Sequence, residues 1–307
     1  MLRAVVEDFA RISGAEVRTL LRCPLPMLGG CRVECFELDA EELAFRRLVR
    51  WADFTLIIAP EFDDLLLSRC RWAEEQNGRL LGPFSPAVAL TSDKWALAEH
   101  LRARRVPTPM CIALHDAPSF PKFPLVCKPR FGAGSQATFL VRDRDSLADC
   151  LLAARLEGWR GEMLVQPFLA GAAASVAFLC GPVRSVALVP AAQHISAGGR
   201  FHYQGGELPL PPPLATRAVR VAQSAIDAMP GLAGYVGVDI VLGKPPDGSD
   251  DWVIEINPRL TTSYLGLRAL TKQNLAEMLV HVVGGQATEP PRWQPGMVRF
   301  LKDGTML

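Results

Sequence analysis

The first ninety residues alternate between short segments of helical and of strand-like apolar spacing. Apolar side chains recur every three to four positions in the helical segments, whereas the strand-like segments are short apolar runs. The predicted helices cover residues 2–12, 40–51 and 63–77, and the predicted strands cover residues 16–21, 31–38 and 54–59. This alternation predicts a small α/β domain with a parallel sheet over residues 1–90. The chain enters on a helix, so the strand that ordinarily opens such a sheet is missing from the pattern.

The pattern changes near residue 91, and the remainder predicts an α+β domain of two lobes, 91–165 and 166–307. The first lobe is predicted to hold a helix at 93–104 with Ser92 as its N-cap, strands at 125–128, 137–141 and 163–166, and a helix at 146–156. The second is predicted to hold strands at 235–242 and 251–256, helices at 215–229 and 275–283, a polar loop at 193–213 and a Pro-rich tail.

An apolar stretch at 172–192 is long enough to cross a bilayer. Gly181 and Pro182 interrupt it, and Arg184 follows. Two short apolar runs around a Gly-Pro turn are typical of a buried hairpin. We therefore expect a hairpin over 175–189 and no membrane span.

The charge composition argues against some classes of binding partner. Lys plus Arg number 33 and Asp plus Glu number 32, so no charge surplus indicates binding to nucleic acid or to an anionic membrane. The eight cysteines form no CxxC pair, and no secretory-signal pattern opens the chain. Unpaired thiols are typical of a reducing compartment, so we expect a cytoplasmic protein.

A glycine-rich turn follows the predicted strand at 125–128. Lys128 stands at the end of that strand, and Gly132, Gly134 and Ser135 follow within the turn. Glycines let backbone N–H groups approach a polyphosphate, and a lysine supplies a point charge. The spacing is neither that of a Walker loop nor that of a dinucleotide fold, and a plain turn between two hairpin strands is equally compatible with it.

Two carboxylates interrupt neighbouring apolar strands near the end of the chain. Asp239 lies in the predicted strand 235–242, and Glu255 in the predicted strand 251–256, with Asn257 two positions beyond. If the two strands pair, side-chain alternation puts all three on one face. Carboxylate and amide oxygens suit Mg²⁺, and isolated acids inside apolar strands are costly to bury without a partner or a metal. The alternative is an acidic pair that faces solvent at a sheet edge.

Taken in order, these motifs resemble the ATP-grasp superfamily of carboxylate–amine ligases. The resemblance rests on Ser-Asp-Lys at 92–94, Lys-Pro-x-x-Gly-x-Gly-Ser at 128–135, the hinge 164–171, Gly-x-x-Gly-Val-Asp at 234–239 and Glu-Ile-Asn-Pro-Arg at 255–259. It covers residues from about 90 to 285, and residues 1–90 resemble the domain that precedes the grasp. The fold it implies is an α/β pre-grasp domain, lacking its first strand, followed by an α+β ATP-grasp domain of two lobes.

The resemblance also implies a role for each matching residue. ATP with Mg²⁺, or with Mn²⁺ in its place, is the implied cofactor pair. The implied phosphate-binding residues are Lys94, Lys128, Gly132, Gly134 and Ser135; the adenine-reading hinge is Val165, Gln166, Phe168 and Leu169; the metal ligands are Asp239, Glu255 and Asn257; the catalytic residues are Lys128 and Arg259. Lys94 as a solvated helix lysine and Ser135 as an ordinary turn residue remain open alternatives.

The chain departs from the family pattern in its hinge. Gln166 and Pro167 stand where many members have an acidic residue, and the alanines at 172–174 occupy another position that is often acidic. These departures leave recognition of the ribose open.

A narrower resemblance, carried by residues 261–268 and 193–206, is to the tyramine–L-glutamate ligases of methanofuran biosynthesis and to smaller amino-acid ligases. It implies a small-molecule acid and amine as partners, with a homodimer as the assembly to test. His194, His202 and Tyr203 are candidates to line the acceptor pocket, or to belong to an ordered surface loop.

The resemblance implies amide formation through an acyl phosphate, with release of ADP and phosphate. Two other functions stay open. One is an ATP-binding module that has lost catalysis and acts through protein contacts. The other is a phosphotransferase that stops at a phosphorylated product.

Overall fold

A computed structural model describes residues 1–22, 28–37, 39–114, 122–196 and 198–307. Its N-terminal part consists mostly of helices around a short parallel pair of strands. The elements are helix α1 (Leu2–Ala10), strands β1 (Arg18–Arg22) and β2 (Arg32–Phe36), helix α2 (Glu41–Trp51), a 3₁₀ turn (Phe62–Asp64), and helices α3 (Leu65–Glu75) and α4 (Ser85–Ser92). This part confirms the predicted α/β character and the helix at the start. The last residue of the predicted strand 31–38, Leu38, lies outside the described residues.

Two predictions for this part are wrong. Residues 54–59 form no strand; Thr55 makes an isolated bridge to Leu80. An apolar run becomes a strand only where a ladder partner lies beside it, and the run itself does not show the partner. Ser92 is not an N-cap, because it ends α4, and Asp93 caps the next helix instead.

The first lobe of the larger domain packs one helix against a four-stranded sheet. Helix α5 (Lys94–Ala103) leads into strands β3 (Ile112–Ala113), β4 (Leu125–Pro129) and β5 (Phe139–Val141), helix α6 (Ser146–Leu156) and strand β6 (Met163–Pro167). The strand order is β3-β6-β4-β5. Leu125, Cys127 and Val165 face α6 in a small core, so the alternate residues Val126 and Lys128 face the other way.

The second lobe is built on a seven-stranded sheet of order β12-β11-β7-β9-β10-β13, with β8 beside β7. Its elements are β7 (Ala172–Cys180), β8 (Ser185–Ala187), β9 (Ala191–Ile195), β10 (Tyr203–Leu208), α7 (Pro212–Ala228), β11 (Gly234–Leu242), β12 (Trp252–Asn257), α8 (Ser263–Ala269), α9 (Leu275–Val283) and β13 (Val298–Leu301). Strands β7 and β8 are antiparallel, which confirms the predicted hairpin. No helix in the described ranges combines the length and apolarity needed to cross a membrane.

The prediction of a polar loop over residues 193–213 is wrong. Strands β9 and β10 occupy much of it, because Gln193 and Gly206 pair across an antiparallel ladder in spite of their polar neighbours. The tail likewise contains β13, whose Val298 pairs with Leu208 of β10. Both segments complete an existing sheet, so their strand character comes from the ladder rather than from their own apolar pattern.

Helix α7 covers one face of the large sheet at β11 and its neighbouring strands, and helices cover the other face in part. Alternate residues of β11 (Val236, Val238 and Ile240) pack with α7 in the largest core. On the opposite face, Tyr235 packs with α8 and α9 in a second core. The rest of that second face is left uncovered by helices. It forms one wall of a cleft whose other wall is the four-stranded sheet of the first lobe.

Candidate active site

The cleft between the two sheets encloses a cavity of about 790 Å³. The first lobe contributes the glycine-rich turn and side chains of β4 and β6, and the second lobe contributes side chains of β7, β9, β10, β11 and β12. The predicted site residues that line it are Lys94, Lys128, Gly132, Gly134, Ser135, Gln166, Phe168, Leu169, Asp239, Glu255, Asn257 and Arg259. Tertiary folding thus brings together residues from five separate motifs.

The two carboxylates lie directly opposite each other on paired strands. Asp239 of β11 pairs in register with Glu255 of β12, and Gly237 pairs with Asn257. The Asn257 Nδ2 donates to Asp239 Oδ2 at 3.0 Å, and the Gln193 Nε2 donates to Asp239 Oδ1 at 2.8 Å. The three oxygen-bearing side chains therefore share one face of the sheet. That face lines the cavity rather than bulk solvent, so the acidic pair is not a solvent-facing edge.

Burial makes the two carboxylates titrate differently. Burial, together with the charge of Glu255, raises the pKa of Asp239 to about 8. Burial also raises the pKa of Glu255, but the charges of Lys94, Lys128 and Arg259 and a hydrogen bond with Asp239 together lower it by more, so its pKa ends below the usual value. Two adjacent buried carboxylates do not both ionise without a compensating cation.

The chemistry of this donor set fits a divalent metal. Within the described ranges no group of three or more His, Cys, Asp and Glu side chains could hold a metal ion. The set here is two carboxylates and one amide, all hard oxygen donors, with a charge that a divalent cation would neutralise. Such a site relies on phosphate oxygens of a bound nucleotide to complete the coordination. Asp239, Glu255 and Asn257 remain the predicted ligands.

Two lysines face the carboxylates from the first lobe. The Lys94 Nζ lies 3.5 Å from Glu255 Oε2 and donates to the Gly132 carbonyl at 2.6 Å. Lys94 is thus partly buried and engaged, not a solvated helix lysine. Lys128 is 5% exposed, and burial lowers the pKa of its ammonium group. The lysines and the carboxylates form a region of alternating charge at the centre of the cavity.

Of the four predicted adenine-reading hinge residues, Gln166, Phe168 and Leu169 line the cavity and Val165 does not. Val165 is wholly buried and pairs with Cys127 on one side and Ile112 on the other, inside the four-stranded sheet. The structure therefore places Val165 outside the cavity, because it occupies a core-facing position of β6. Phe168 lies at the cavity edge with its ring stacked on Phe201, the centroids being 6.3 Å apart.

Arg259 is held by a residue of the N-terminal part. Its Nε donates to Glu61 Oε2 at 2.8 Å, and its Nη1 donates to the Leu260 carbonyl at 3.2 Å. The Glu61 side chain is 6% exposed, against 18% for Arg259. The sequence pattern gives little sign of Glu61, which is simply the first acidic residue after the apolar run 54–60.

Of the three candidate residues for the acceptor pocket, only one lines the cavity. Tyr203 lines the cavity, but His194 and His202 are not part of its lining. Along β9, Gln193 and Ile195 face the cavity, so His194 between them faces the other side of the sheet. No sequence pattern indicates Gln193 as a partner of Asp239. Nor does any pattern indicate the hydroxyl cluster of Thr261, Ser263 and Tyr235, in which Thr261 Oγ1 and Ser263 Oγ lie 2.8 Å apart.

These features define a two-lobed protein in whose central cleft two lysines face a partly buried pair of carboxylates. Family models agree with that description. A model of the ATP-grasp domain matches residues 91–263, more than half of the chain, and a model of the pre ATP-grasp 3 domain matches residues 20–88. The chain belongs to the ATP-grasp family, whose members use ATP. The predicted fold class is confirmed.

Individual relatives sharpen the comparison. The chain is 29% identical over 230 residues to a tyramine–L-glutamate ligase of Methanocaldococcus jannaschii, a match that covers 74% of this chain and 62% of the relative. The chain thus spans less than two thirds of that relative's length. An ATP-grasp superfamily protein from Archaeoglobus fulgidus has a TM-score of 0.62 at 28% identity, covering 87% of this chain and 74% of the other.

The fold is shared with a more distant ligase as well. An L-amino acid ligase from Bacillus licheniformis has a TM-score of 0.75 at 19% identity, covering 97% of this chain and 76% of the other. At that identity the likeness concerns the fold alone.

Proposed function

We propose that the protein is an ATP-dependent carboxylate–amine ligase that forms an amide through an acyl phosphate. The observation that carries the proposal is the cavity itself. Two partly buried carboxylates, Asp239 and Glu255, face Lys94 and Lys128 across one space into which the glycine-rich turn opens. This arrangement matches what phosphoryl transfer from ATP requires, namely cations around the phosphates and oxygen ligands for a divalent ion.

In the proposed first step, a substrate carboxylate oxygen attacks the γ-phosphorus of ATP. A bond from that oxygen to phosphorus forms, the bond to the β-phosphate oxygen breaks, and ADP leaves. Lys94, Lys128 and the backbone of the turn at 132–135 hold the phosphates in position. When bound, Mg²⁺, for which Mn²⁺ is a substitute, supplies charge neutralisation at Asp239, Glu255 and Asn257.

In the second step, an amine attacks the acyl carbon. A C–N bond forms, phosphate leaves with the C–O bonding electrons, and the amine loses a proton. Arg259, fixed by Glu61, is placed to steady the negative charge of the phosphoryl group or of the substrate carboxylate. The chain need not provide a nucleophile, so positioning and electrostatics supply the rate enhancement.

The relatives support glutamate as the acid and a tyramine-like amine as the acceptor. The hydroxyls of Tyr203, Thr261 and Ser263 line the cavity near the carboxylates and offer neutral donors and acceptors for a small polar substrate. We further propose a homodimer, which sedimentation of the purified protein would test.

The direct test incubates the protein with ATP, Mg²⁺, glutamate and tyramine and weighs the products by mass spectrometry. We expect an amide together with stoichiometric ADP. Hydroxylamine added in place of the amine should yield a hydroxamate, which only an acyl phosphate gives. A phosphorylated product that resists hydroxylamine would indicate a phosphotransferase. Magnesium-dependent ATP binding without ADP release across a broad panel of acids and amines would indicate a binding module.

Glu255→Ala tests the carboxylate pair. We expect ADP formation to be lost with every substrate, because the variant removes one of the three side chains that would bind the divalent ion, and one of its two carboxylates. The matched control is Glu207→Ala, a carboxylate on the same sheet that pairs with Arg299 outside the cavity. ADP release at the wild-type rate by Glu255→Ala would contradict the assignment of the metal ligands.

A further inference from the structure

The glycine-rich turn adopts a backbone conformation that its own sequence does not favour. Gly134, Ser135 and Ala137 have positive φ values of 65°, 61° and 43°. Glycine adopts such values without penalty, but for a serine or an alanine the left-handed region is unfavourable, because the Cβ atom lies too close to the backbone. Strained residues of this kind persist only where surrounding contacts hold them. The contacts at Ser135 and Ala137 therefore decide the shape of the turn.

Arg200, from the second lobe, contacts Ser135, the first of the two non-glycine residues with a positive φ. The Arg200 Nη1 lies 2.7 Å from the carbonyl oxygen of Ser135, 2.9 Å from that of Thr138 and 2.7 Å from that of Phe201. Its guanidinium also lies 4.8 Å from the centroid of the Phe139 ring. Arg200 thus spans the exit of the turn and the start of β5.

Glu157, at the end of α6, contacts Ala137, the second non-glycine residue with a positive φ. Glu157 accepts hydrogen bonds from Arg200 Nε at 2.8 Å and from Arg200 Nη2 at 2.7 Å, a two-pronged ion pair. The same carboxylate accepts the backbone N–H of Ala137 at 3.2 Å. The hydrogen bond from Arg200 lowers the pKa of Glu157, so the carboxylate is ionised at neutral pH. The pair therefore holds the turn at both of its left-handed non-glycine positions.

The backbone beside Arg200 extends the four-stranded sheet. Leu140 N–H donates to the Gly199 carbonyl at 2.7 Å, and Phe201 N–H donates to the Thr138 carbonyl at 3.0 Å. Residues 198–201 precede β10 of the second lobe, whereas β5 belongs to the first lobe. Arg200 and its neighbours therefore join the two lobes at the rim of the cavity, immediately beside the turn.

We propose that Arg200 and Glu157 are positioning residues that hold the glycine-rich turn closed over the phosphates and so keep water from the acyl phosphate. This inference rests on the proposed ligase function. Attack by water on the acyl phosphate returns the free carboxylate and inorganic phosphate, so ATP is consumed without an amide. A loose turn therefore wastes ATP rather than abolishing its cleavage.

The first test measures the amide formed per ADP released, with glutamate, tyramine and Mg·ATP as the probes. For Arg200→Ala we expect this ratio to fall about tenfold, the effect of a loss of ~1.4 kcal/mol in stabilisation of the closed turn. For Arg200→Lys we expect a ratio between that of the wild type and that of Arg200→Ala. Lysine keeps the positive charge but cannot make the paired hydrogen bonds that the guanidinium makes to Glu157. The matched control is Arg69→Ala, which breaks a similar two-pronged pair with Glu41 away from the cavity. An unchanged ratio in Arg200→Ala would overturn the proposal.

The second test needs no acid or amine and so separates this inference from the choice of substrates. Hydrogen–deuterium exchange of residues 132–138 is followed with a non-hydrolysable ATP analogue and Mg²⁺ bound. We expect about tenfold faster exchange in Arg200→Ala and in Glu157→Gln than in the wild type or in Arg69→Ala. Glu157→Gln serves as the second variant if Arg200→Ala does not fold. Wild-type exchange rates in the folded variant would overturn the proposal even if amide formation is confirmed.

Discussion

At the scale of single residues, the centre of the cavity contains charges that the folded chain alone does not neutralise. Lys128 is nearly buried, and burying an ammonium group is costly unless an opposite charge or hydrogen-bond acceptors compensate. The carboxylates of Glu255 and Asp239 supply part of that compensation, and both act to raise the pKa that burial lowers. A bound triphosphate would supply the rest. We infer that the arrangement is held ready for an anionic ligand.

Lys128→Met tests this inference by removing the charge while keeping an unbranched side chain. A charge-assisted hydrogen bond contributes about 1.5–3 kcal/mol, so we expect nucleotide affinity to fall by roughly 10–100-fold. Calorimetric titration with Mg·ATP measures the change. Lys244→Met, at an exposed position beyond β11, is the matched control and should bind as the wild type does. Equal affinities for the two variants would exclude Lys128 as a phosphate-binding residue.

At the scale of elements, α5 places Lys94 at the cavity because its N-terminus is anchored. The Asp93 carboxylate accepts the backbone N–H groups of Trp95 and Ala96 at 3.0 and 3.1 Å, which caps the helix. It also pairs with Arg130 of the glycine-rich turn at 2.6 Å. Burial raises the pKa of Asp93, but these hydrogen bonds lower it by more. One side chain therefore fixes both the helix start and the turn.

Asp93→Ala and Asp93→Asn separate the two roles. Alanine removes the cap and should cost about 1 kcal/mol for that reason alone. Asparagine keeps a cap but loses the ion pair with Arg130, a smaller loss of about 0.2–1 kcal/mol for a partly exposed pair. Chemical denaturation at neutral pH measures both. Asp93→Asn as destabilising as Asp93→Ala would show that the ion pair, not the cap, dominates.

The same pair predicts a pH dependence. A carboxyl group whose folded-state pKa is lowered stabilises the fold above its unfolded-state pKa, about 3.9, and loses that contribution as the pH falls. The stability difference between the wild type and Asp93→Asn should therefore be present at pH 7 and shrink below about pH 4. Denaturation midpoints measured across that range provide the check. A difference that grows on acidification would contradict the lowered pKa.

At the scale of the whole molecule, the N-terminal part reaches the active site through Glu61. The ion pair with Arg259 joins residues 198 positions apart in the chain. Helix α1 is anchored separately, since the buried Asp8 accepts hydrogen bonds from Tyr264 and Arg268, both in α8. Both contacts tie the N-terminal part to the second lobe, and the one at Glu61 orients a candidate catalytic residue.

Glu61→Gln should reduce turnover more than stability. Glutamine keeps the shape and one acceptor but removes the charge that orients Arg259, and misplacing a catalytic group can cost up to about 10²-fold in rate. Steady-state kinetics should show the loss in kcat, with partial recovery in Glu61→Asp. Glu41→Gln, which weakens the ion pair to Arg69 inside the N-terminal part, is the control. Equal kcat values for the two variants would show that Glu61 has only a structural role.

Much of the candidate site was predictable because its chemistry lies on regular strands. Side-chain alternation along β11 and β12 puts Asp239, Glu255 and Asn257 on one face once the two strands pair in the observed register. Helices α6 and α9 agree with their predicted ranges, and in α9 the buried side chains follow the spacing of one helix face. The alternation of side chains along β9 also explains why His194 points away from the cavity while its neighbour Gln193 donates a hydrogen bond to Asp239.

Strands that depend on a partner were not predictable. Residues 54–59 are apolar but find only an isolated bridge, whereas the polar β9 and β10 are strands because β7 and β13 flank them. Strand formation reflects packing against neighbours more than intrinsic preference, so the sequence pattern was misleading in both directions.

The sequence by itself determined the class of fold, the strands that carry the carboxylates and the glycine-rich turn, since each follows from local periodicity or residue type. Only the tertiary structure decided which distant residues complete the site. Glu61 reaches Arg259, and Arg200 reaches Glu157 and Ser135, across long stretches of chain. Local patterns report which side of an element a residue faces. They do not report which other element will be packed against that side.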